Sequence, residues 1–232
     1  MEEIILSPRL RFLADWVPLG SNFADIGTDH GYLPLFLKKN GRISSVIATD
    51  INVGPLEAGK KIARKHDISL DFRLCDGLEG VFPKEVDCIS IAGMGGMTIS
   101  QILAAWLFQF PQVKDWQGTF LLQPMSTQRD LRFWLNTQGF TILEEGVICE
   151  GDTLYTAMKV RVGEDTPYAE EEYLFGRQSV CQNDRNRLVY LEHTLGKIQK
   201  IYEKLGPSNR TRQEELKAQE KMLLKMKKEL ET

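Results

Sequence analysis

Asp25-Ile26-Gly27-Thr28-Asp29-His30-Gly31-Tyr32-Leu33-Pro34 is the stretch that decides the fold. Phe23-Ala24-Asp25-Ile26-Gly27 is a short apolar run that carries one acid and stops on glycine, and residues 31–40 then have helical character up to Asn40-Gly41. A strand that passes through a glycine turn into a helix opens a βαβ unit. Outward from it the alternation repeats. Val46–Asp50 predicts a second strand and 54–65 a helix; Leu70–Leu74 a third strand; Val86–Ile91 a fourth, with a helix over 96–108; Thr119–Pro124 a fifth, with a helix over 126–138 stopped by Gly139. Such alternation predicts a mainly parallel sheet covered on both faces. Upstream, Leu10, Leu13, Ala14 and Val17 share one face of a helix over 7–19, with Ser7-Pro8 as its start signal.

The end of the alternation departs from this rule. Phe140–Glu150 and Leu154–Val162 are two strand-like runs joined only by Gly151-Asp152-Thr153. So short a connection forces an antiparallel pair. A mostly parallel α/β sheet closed by an antiparallel hairpin predicts a Rossmann-like class I methyltransferase domain over 1–163 rather than a dehydrogenase. After Gly163 the strands cease, and 164–232 reads as a helical coiled-coil domain. Residues 168–204 are expected to be helical, with a seam of Leu188, Leu191, Leu195, Ile198, Tyr202 and Leu205. Gly206-Pro207-Ser208-Asn209 marks a turn, and Thr211 with Glu214 could cap a second helix whose seam is Leu216, Gln219, Leu223, Met226 and Leu230. The two should form an antiparallel hairpin. A seam can also pair between chains, which leaves monomer and dimer open.

Composition narrows the class. With 42% hydrophobic and 26% charged residues, the chain is expected to fold rather than to stay disordered. No apolar run approaches the roughly 20 residues that cross a bilayer. Met1-Glu2-Glu3-Ile4-Ile5 lacks the basic start of a signal peptide, so a cytoplasmic protein without a membrane partner is expected. Cys75, Cys88, Cys149 and Cys181 have no CxxC spacing, which predicts reduced thiols and no metal site, with Cys88 and Cys149 in the core. The net charge of −3 divides unevenly: from Asp184 to Thr232 there are 12 Lys and Arg against 8 Asp and Glu, a net of +4 on the tail and −7 on the rest. That asymmetry points weakly to an anionic partner on the tail side, with no single tail cation singled out.

The chemistry-bearing residues sit at successive strand ends. Asp25 and Gly27 at the first suit S-adenosylmethionine: the acid faces the cofactor's cationic amino-acid end, and Gly27 lets the backbone come close. A dinucleotide pyrophosphate would be repelled there, and GxGxxG is absent. His30, Gly31 and Ile51 are further candidate cofactor contacts, with RNA contact or a structural hydrogen bond to backbone as the alternatives for His30. Asp50, 23 residues after Gly27, is placed to take both ribose hydroxyls, with a helix cap as the alternative. Asp76-Gly77 is a candidate for the adenine amino group or simply a turn. Gly93-Met94-Gly95-Gly96 follows the fourth strand, where Gly93 would approach the cofactor and Met94 and Gly95 the substrate; a hinge is the alternative. Asp29 is the candidate catalytic acid, with a helix cap as its alternative. Arg9 and Arg11 are candidates for phosphate contact or for a solvated surface, and Tyr32 for a stacking platform or for core packing.

The motif at 25–34, Asn52-x-Gly54-Pro55-Leu56 and Ile91-Ala92-Gly93-Met94-Gly95-Gly96-Met97 resemble the bacterial tRNA adenine-22 N1-methyltransferase family. Leu6-Ser7-Pro8-Arg9-Leu10 and Leu121-Leu122-Gln123-Pro124 are similar too, and the resemblance runs essentially end to end. It implies a cofactor of S-adenosylmethionine, a tRNA partner rather than DNA, and methyl transfer to N1 of an adenine in the D-arm. Asp29 would then hold the adenine's exocyclic amine. A methyltransferase for a small molecule or protein, or a non-catalytic cofactor-binding module, would share the cofactor motifs.

Overall fold

The computed structural model describes residues 3–181, 185–206 and 208–230, so Met1, Glu2, Asp184, Pro207 and Thr232 lie outside it. Seven strands form one sheet: β1 (Ser21–Ile26), β2 (Ile43–Asp50), β3 (Asp71–Leu74), β4 (Cys88–Gly95), β5 (Thr119–Ser126), β6 (Phe140–Glu150) and β7 (Thr153–Val162), in the order β3-β2-β1-β4-β5-β7-β6. The first five pair in parallel, and β7 runs antiparallel to both β5 and β6. The fold is therefore the expected Rossmann-like methyltransferase sheet with its antiparallel final hairpin. The chain order reverses between β1 and β4, and open α/β sheets bind ligands outside the carboxyl ends of the strands at such a point.

Both faces of the sheet are covered, which is why its central strands are mostly apolar, with Asp25, Ser90 and Gln123 as buried polar exceptions. Phe23, Cys88, Leu121 and Ala157 pack on one face against α1 (Pro8–Trp16) and α2 (Tyr32–Lys39). Their neighbours Ala24, Ile89, Phe120, Leu122 and Met158 pack on the other with Leu103 and Trp106 of α4 (Gly96–Gln109) and Leu131 and Leu135 of α5 (Gln128–Thr137). Successive residues of a strand point to opposite faces, so one strand feeds two cores. α3 (Val53–Lys65) links β2 to β3.

Several local expectations change. α1 begins where Ser7 Oγ accepts the Leu10 N–H at 3.4 Å, but it ends at Trp16 because Val17 turns extended before Pro18. The β4 ladder with β5 runs on through Met94↔Pro124 and Gly95↔Ser126, so Gly93, Met94 and Gly95 form an irregular strand end rather than a following loop. Pro124 has no N–H to give the ladder, which accounts for the register break there. Cys149 is exposed near the end of β6, next to the hairpin turn, while Cys88 and Cys181 are buried.

The tail is not one helix over 168–204. α6 (Glu170–Phe175) ends at Gly176, whose φ of +87° no helical residue adopts, and α7 (Arg187–Lys204) starts afresh. Tyr168 and Tyr173 pack into the sheet core, whereas Phe175 belongs to the tail core with Leu191, Ile198, Leu216, Leu223 and Met226. α7 packs against α8 (Arg210–Leu230) within the same chain. Leu188 is 37% exposed and outside that seam, and Thr211 lies inside α8, where it cannot cap the helix start. The joint between sheet and tail is polar and buried. Arg132 of α5 pairs with Glu145 of β6 and donates to the Tyr173 carbonyl at 2.9 Å; Arg187 donates to the carbonyls of Phe175 and Gly176. No helix among the described residues is long and apolar enough to cross a membrane.

Candidate functional site

A cavity of about 600 Å³ opens at the carboxyl ends of β1, β2, β3 and β4, within the ~300–1,000 Å³ of ligand sites. Asp25, Gly27, Asp29, Asp50, Ile51, Asp76, Gly77, Gly93, Met94 and Arg9 all line it. Thus most of the residues singled out along the chain converge on one place. His30, Gly31 and Gly95 are not part of its wall. His30 sits beside the entrance, edge-on to Tyr32 with centroids 5.9 Å apart, and Tyr32 does line the cavity while remaining 41% exposed. Gly31 is the left-handed N-cap of α2, and Gly95 pairs with Ser126 of β5.

The acids differ in their surroundings. Asp25 is buried at the end of β1, where its carboxylate accepts the Thr28 hydroxyl at 2.6 Å and the hydroxyl of Ser90 on β4. Burial pushes its carboxyl up to about 6, opposed by the two hydroxyl donors and assisted by the nearby Asp50 charge. A carboxylate held at that cost favours a cationic ligand. Gly27 follows at φ +65°, a left-handed turn that favours glycine, and a Cβ there would push the Met94 methyl aside.

Asp50 is also buried. Its two oxygens accept the Asn52 N–H at 2.8 Å and the Asp29 N–H at 3.2 Å, while the N-cap of α3 is Asn52, so Asp50 does not cap that helix. Asp29 does not cap α2 either. Its backbone is left-handed at φ +53°, a conformation that costs on the order of 1 kcal/mol and gathers at functional sites. Its side chain is 70% exposed, 3.6 Å from His30 Nε2. The Asp76 carbonyl closes a turn with the Glu79 N–H, and its carboxylate is exposed at the cavity.

Four residues that hold the side chains of the cavity wall in place were not singled out by the sequence reading. Thr28 and Ser90 hold Asp25; Ser90 shows its signal as a lone hydroxyl inside Cys88-Ile89-Ser90-Ile91. Gln123 is buried on β5 and accepts the Gly93 N–H at 3.2 Å. Glu150 accepts from Arg9 Nε at 2.6 Å. Arg11, by contrast, lies near Asp15 at 3.4 Å and over the Phe36 ring.

Three carboxylates at successive strand ends fit a ligand that presents a cationic amine, a vicinal diol and an exocyclic amine. They do not fit a pyrophosphate. Comparison with known proteins agrees with this geometry. Residues 6–158 match the methyltransferase domain family. The tRNA (adenine(22)-N(1))-methyltransferase of Bacillus subtilis is 30% identical over 227 residues, covering 95% of this chain and 94% of that protein. Among solved structures, Streptococcus pneumoniae Sp1610 in complex with S-adenosyl-L-methionine superposes with a TM-score of 0.82 at 27% identity, covering 96% of this chain and 100% of that one. M. capricolum TrmK in complex with S-adenosyl-homocysteine gives 0.78 at 28% identity, covering 95% and 96%. With a cavity built of these carboxylates and relatives that match from end to end, the chain belongs to the tRNA (adenine(22)-N(1))-methyltransferase family.

Proposed function

We propose that this protein transfers a methyl group from S-adenosylmethionine to N1 of an adenine in tRNA, adenine 22 of the D-arm. The observation that carries the reading is the convergence of Asp25, Asp50 and Asp76 on one cavity at the switch point of the sheet. These carboxylates fit the cofactor as acceptors: Asp25 for its ammonium, Asp50 for its ribose hydroxyls and Asp76 for its adenine amine, while Ile51 and Ile102, both on the cavity wall, suit the apolar faces of the ring. Gly27, Gly77 and Gly93 let backbone approach, with His30 and Gly31 shaping the loop beside them.

Bound there, S-adenosylmethionine supplies a methyl group activated by a positively charged sulfur. N1 of neutral adenine carries an in-plane lone pair, so no base need remove a proton before attack, and the protein's main task is alignment. N1 lies on the Watson–Crick edge, so the base must leave its pair to enter. Asp29, exposed at the cavity mouth, accepts the exocyclic amine and favours the positive charge that the ring acquires. Met94 flanks the entering base, with Gly95 behind it in the β4–β5 ladder, and Arg9 takes a phosphate. The division at Gly163 into a methyltransferase domain and a helical domain belongs to the same proposal, with the cationic tail facing the tRNA in the cytoplasm.

The test is tritium transfer from labelled S-adenosylmethionine to unmodified bulk tRNA, followed by nucleoside analysis. Label in 1-methyladenosine is expected. No label from a protein that binds the cofactor would point to another substrate class.

A further inference from the structure

Arg9 is the one cation on the cavity wall among the described residues; the other charged side chains there are Asp25, Asp29, Asp50 and Asp76. A polyanion entering the cavity therefore meets four carboxylates and a single guanidinium. That guanidinium is already engaged. Nε donates to Glu150 Oε2 at 2.6 Å, Nη1 reaches Gln123 Oε1 at 3.4 Å, and the group lies 4.7 Å from the centre of the Tyr155 ring. Nη2 donates to no protein group among the described residues, and both side chains of the pair remain 28% exposed.

We propose that Glu150 holds Arg9 in the substrate-free protein and yields it to a phosphate of the tRNA nucleotide that enters the cavity, an inference that rests on the tRNA reading above. A partly exposed ion pair is weak and screened by salt. Glu150 holds Arg9 through Nε alone, whereas a phosphate can take two guanidinium N–H groups at once, so the exchange loses no hydrogen bond. Glu150 lies at the end of β6 where the hairpin turns, and Arg9 lies on α1 and lines the cavity, so the pair ties the cavity wall to an element outside it. Glu150 thus acts as a competitor that sets tRNA affinity and spares Arg9 from weaker anions. The exchange also frees Gln123, whose Oε1 is shared between Arg9 and the Gly93 N–H.

The test compares Glu150→Gln, Arg9→Ala and the double variant, reading tRNA Kd and KM, kcat, cofactor Kd and the salt dependence of tRNA binding. Glu150→Gln is expected to tighten tRNA binding about fivefold, with kcat and cofactor affinity unchanged. Arg9→Ala is expected to weaken it about tenfold and to lower the slope of log K against log salt by about one. The double variant should match Arg9→Ala. Glu150→Asp keeps the charge and should stay within about twofold of the unaltered protein, which separates charge from misfolding. Weaker tRNA binding or weaker cofactor binding in Glu150→Gln would show a clamp that merely seats α1, and would overturn the exchange. An unaltered protein that binds cofactor but no tRNA would overturn the tRNA reading itself.

Discussion

The two ends of the cavity are built on opposite terms. At the end proposed for the cofactor, Asp25 and Asp50 are buried and already satisfied by Thr28, Ser90, Asn52 and the Asp29 backbone. At the end proposed for the substrate, Asp29 is largely exposed, and Arg9 is tied to a partner as exposed as itself. The first end suits a small ligand of fixed shape, for which rigid groups lose no entropy on binding. The second suits a large ligand that brings its own charges and must displace what is there. The difference teaches that one cavity can be preorganised at one wall and exchangeable at the other.

Asp29→Ala tests the exposed end with the largest expected effect. Turnover should fall about 100-fold while cofactor Kd stays within about threefold. Kinetics with saturating cofactor check this, and a large loss of cofactor affinity with normal turnover would move Asp29 to the other wall. Asp25→Asn tests the buried end in two directions at once. Cofactor binding should weaken by about tenfold or more. The free protein should gain stability, because the folded carboxyl titrates near 6 and the unfolded one near ~3.9. A raised carboxyl favours folding at pH below the unfolded value and loses that contribution as pH rises through 6. Removing the group should therefore stabilise the protein above that pH, by up to about 3 kcal/mol, and give no gain below about pH 4. Denaturation at the two extremes reads the sign.

The same titration predicts that cofactor affinity of the unaltered protein weakens about tenfold from about pH 7 to about pH 5, whereas Asp25→Asn gives a flat profile. Equal profiles would remove Asp25 from the ammonium site. Ile51→Ala should have the smallest effect, about two- to threefold in cofactor Kd, since Ile51 is 61% exposed and gives little area. A tenfold loss would mean that the bound ring is far more enclosed than the open wall suggests.

The buried end was legible in the sequence because Asp25 and Asp50 fall at the ends of apolar strand runs, the first followed by a glycine turn. The antiparallel hairpin was legible for the same local reason, a three-residue connection. The exchangeable end was not. Arg9 and Glu150 meet across 141 positions, and each alone looks like a solvated charge. Gln123 reached the reading only as part of a motif, because its partner Gly93 is on the neighbouring strand. The break at Gly176 was lost inside two stretches with helical spacing, since one glycine within a helical pattern is weak punctuation. Cys149 was misplaced because a run of apolar residues does not mark where a strand leaves the core near its turn.

The most direct measurement uses two tRNA transcripts that differ only in having adenine or guanine at position 22 of the tRNA, each incubated with tritiated S-adenosylmethionine and digested to nucleosides. The account predicts label in 1-methyladenosine from the adenine transcript and none from its partner. Equal label in both, or label in a different nucleoside, would contradict it.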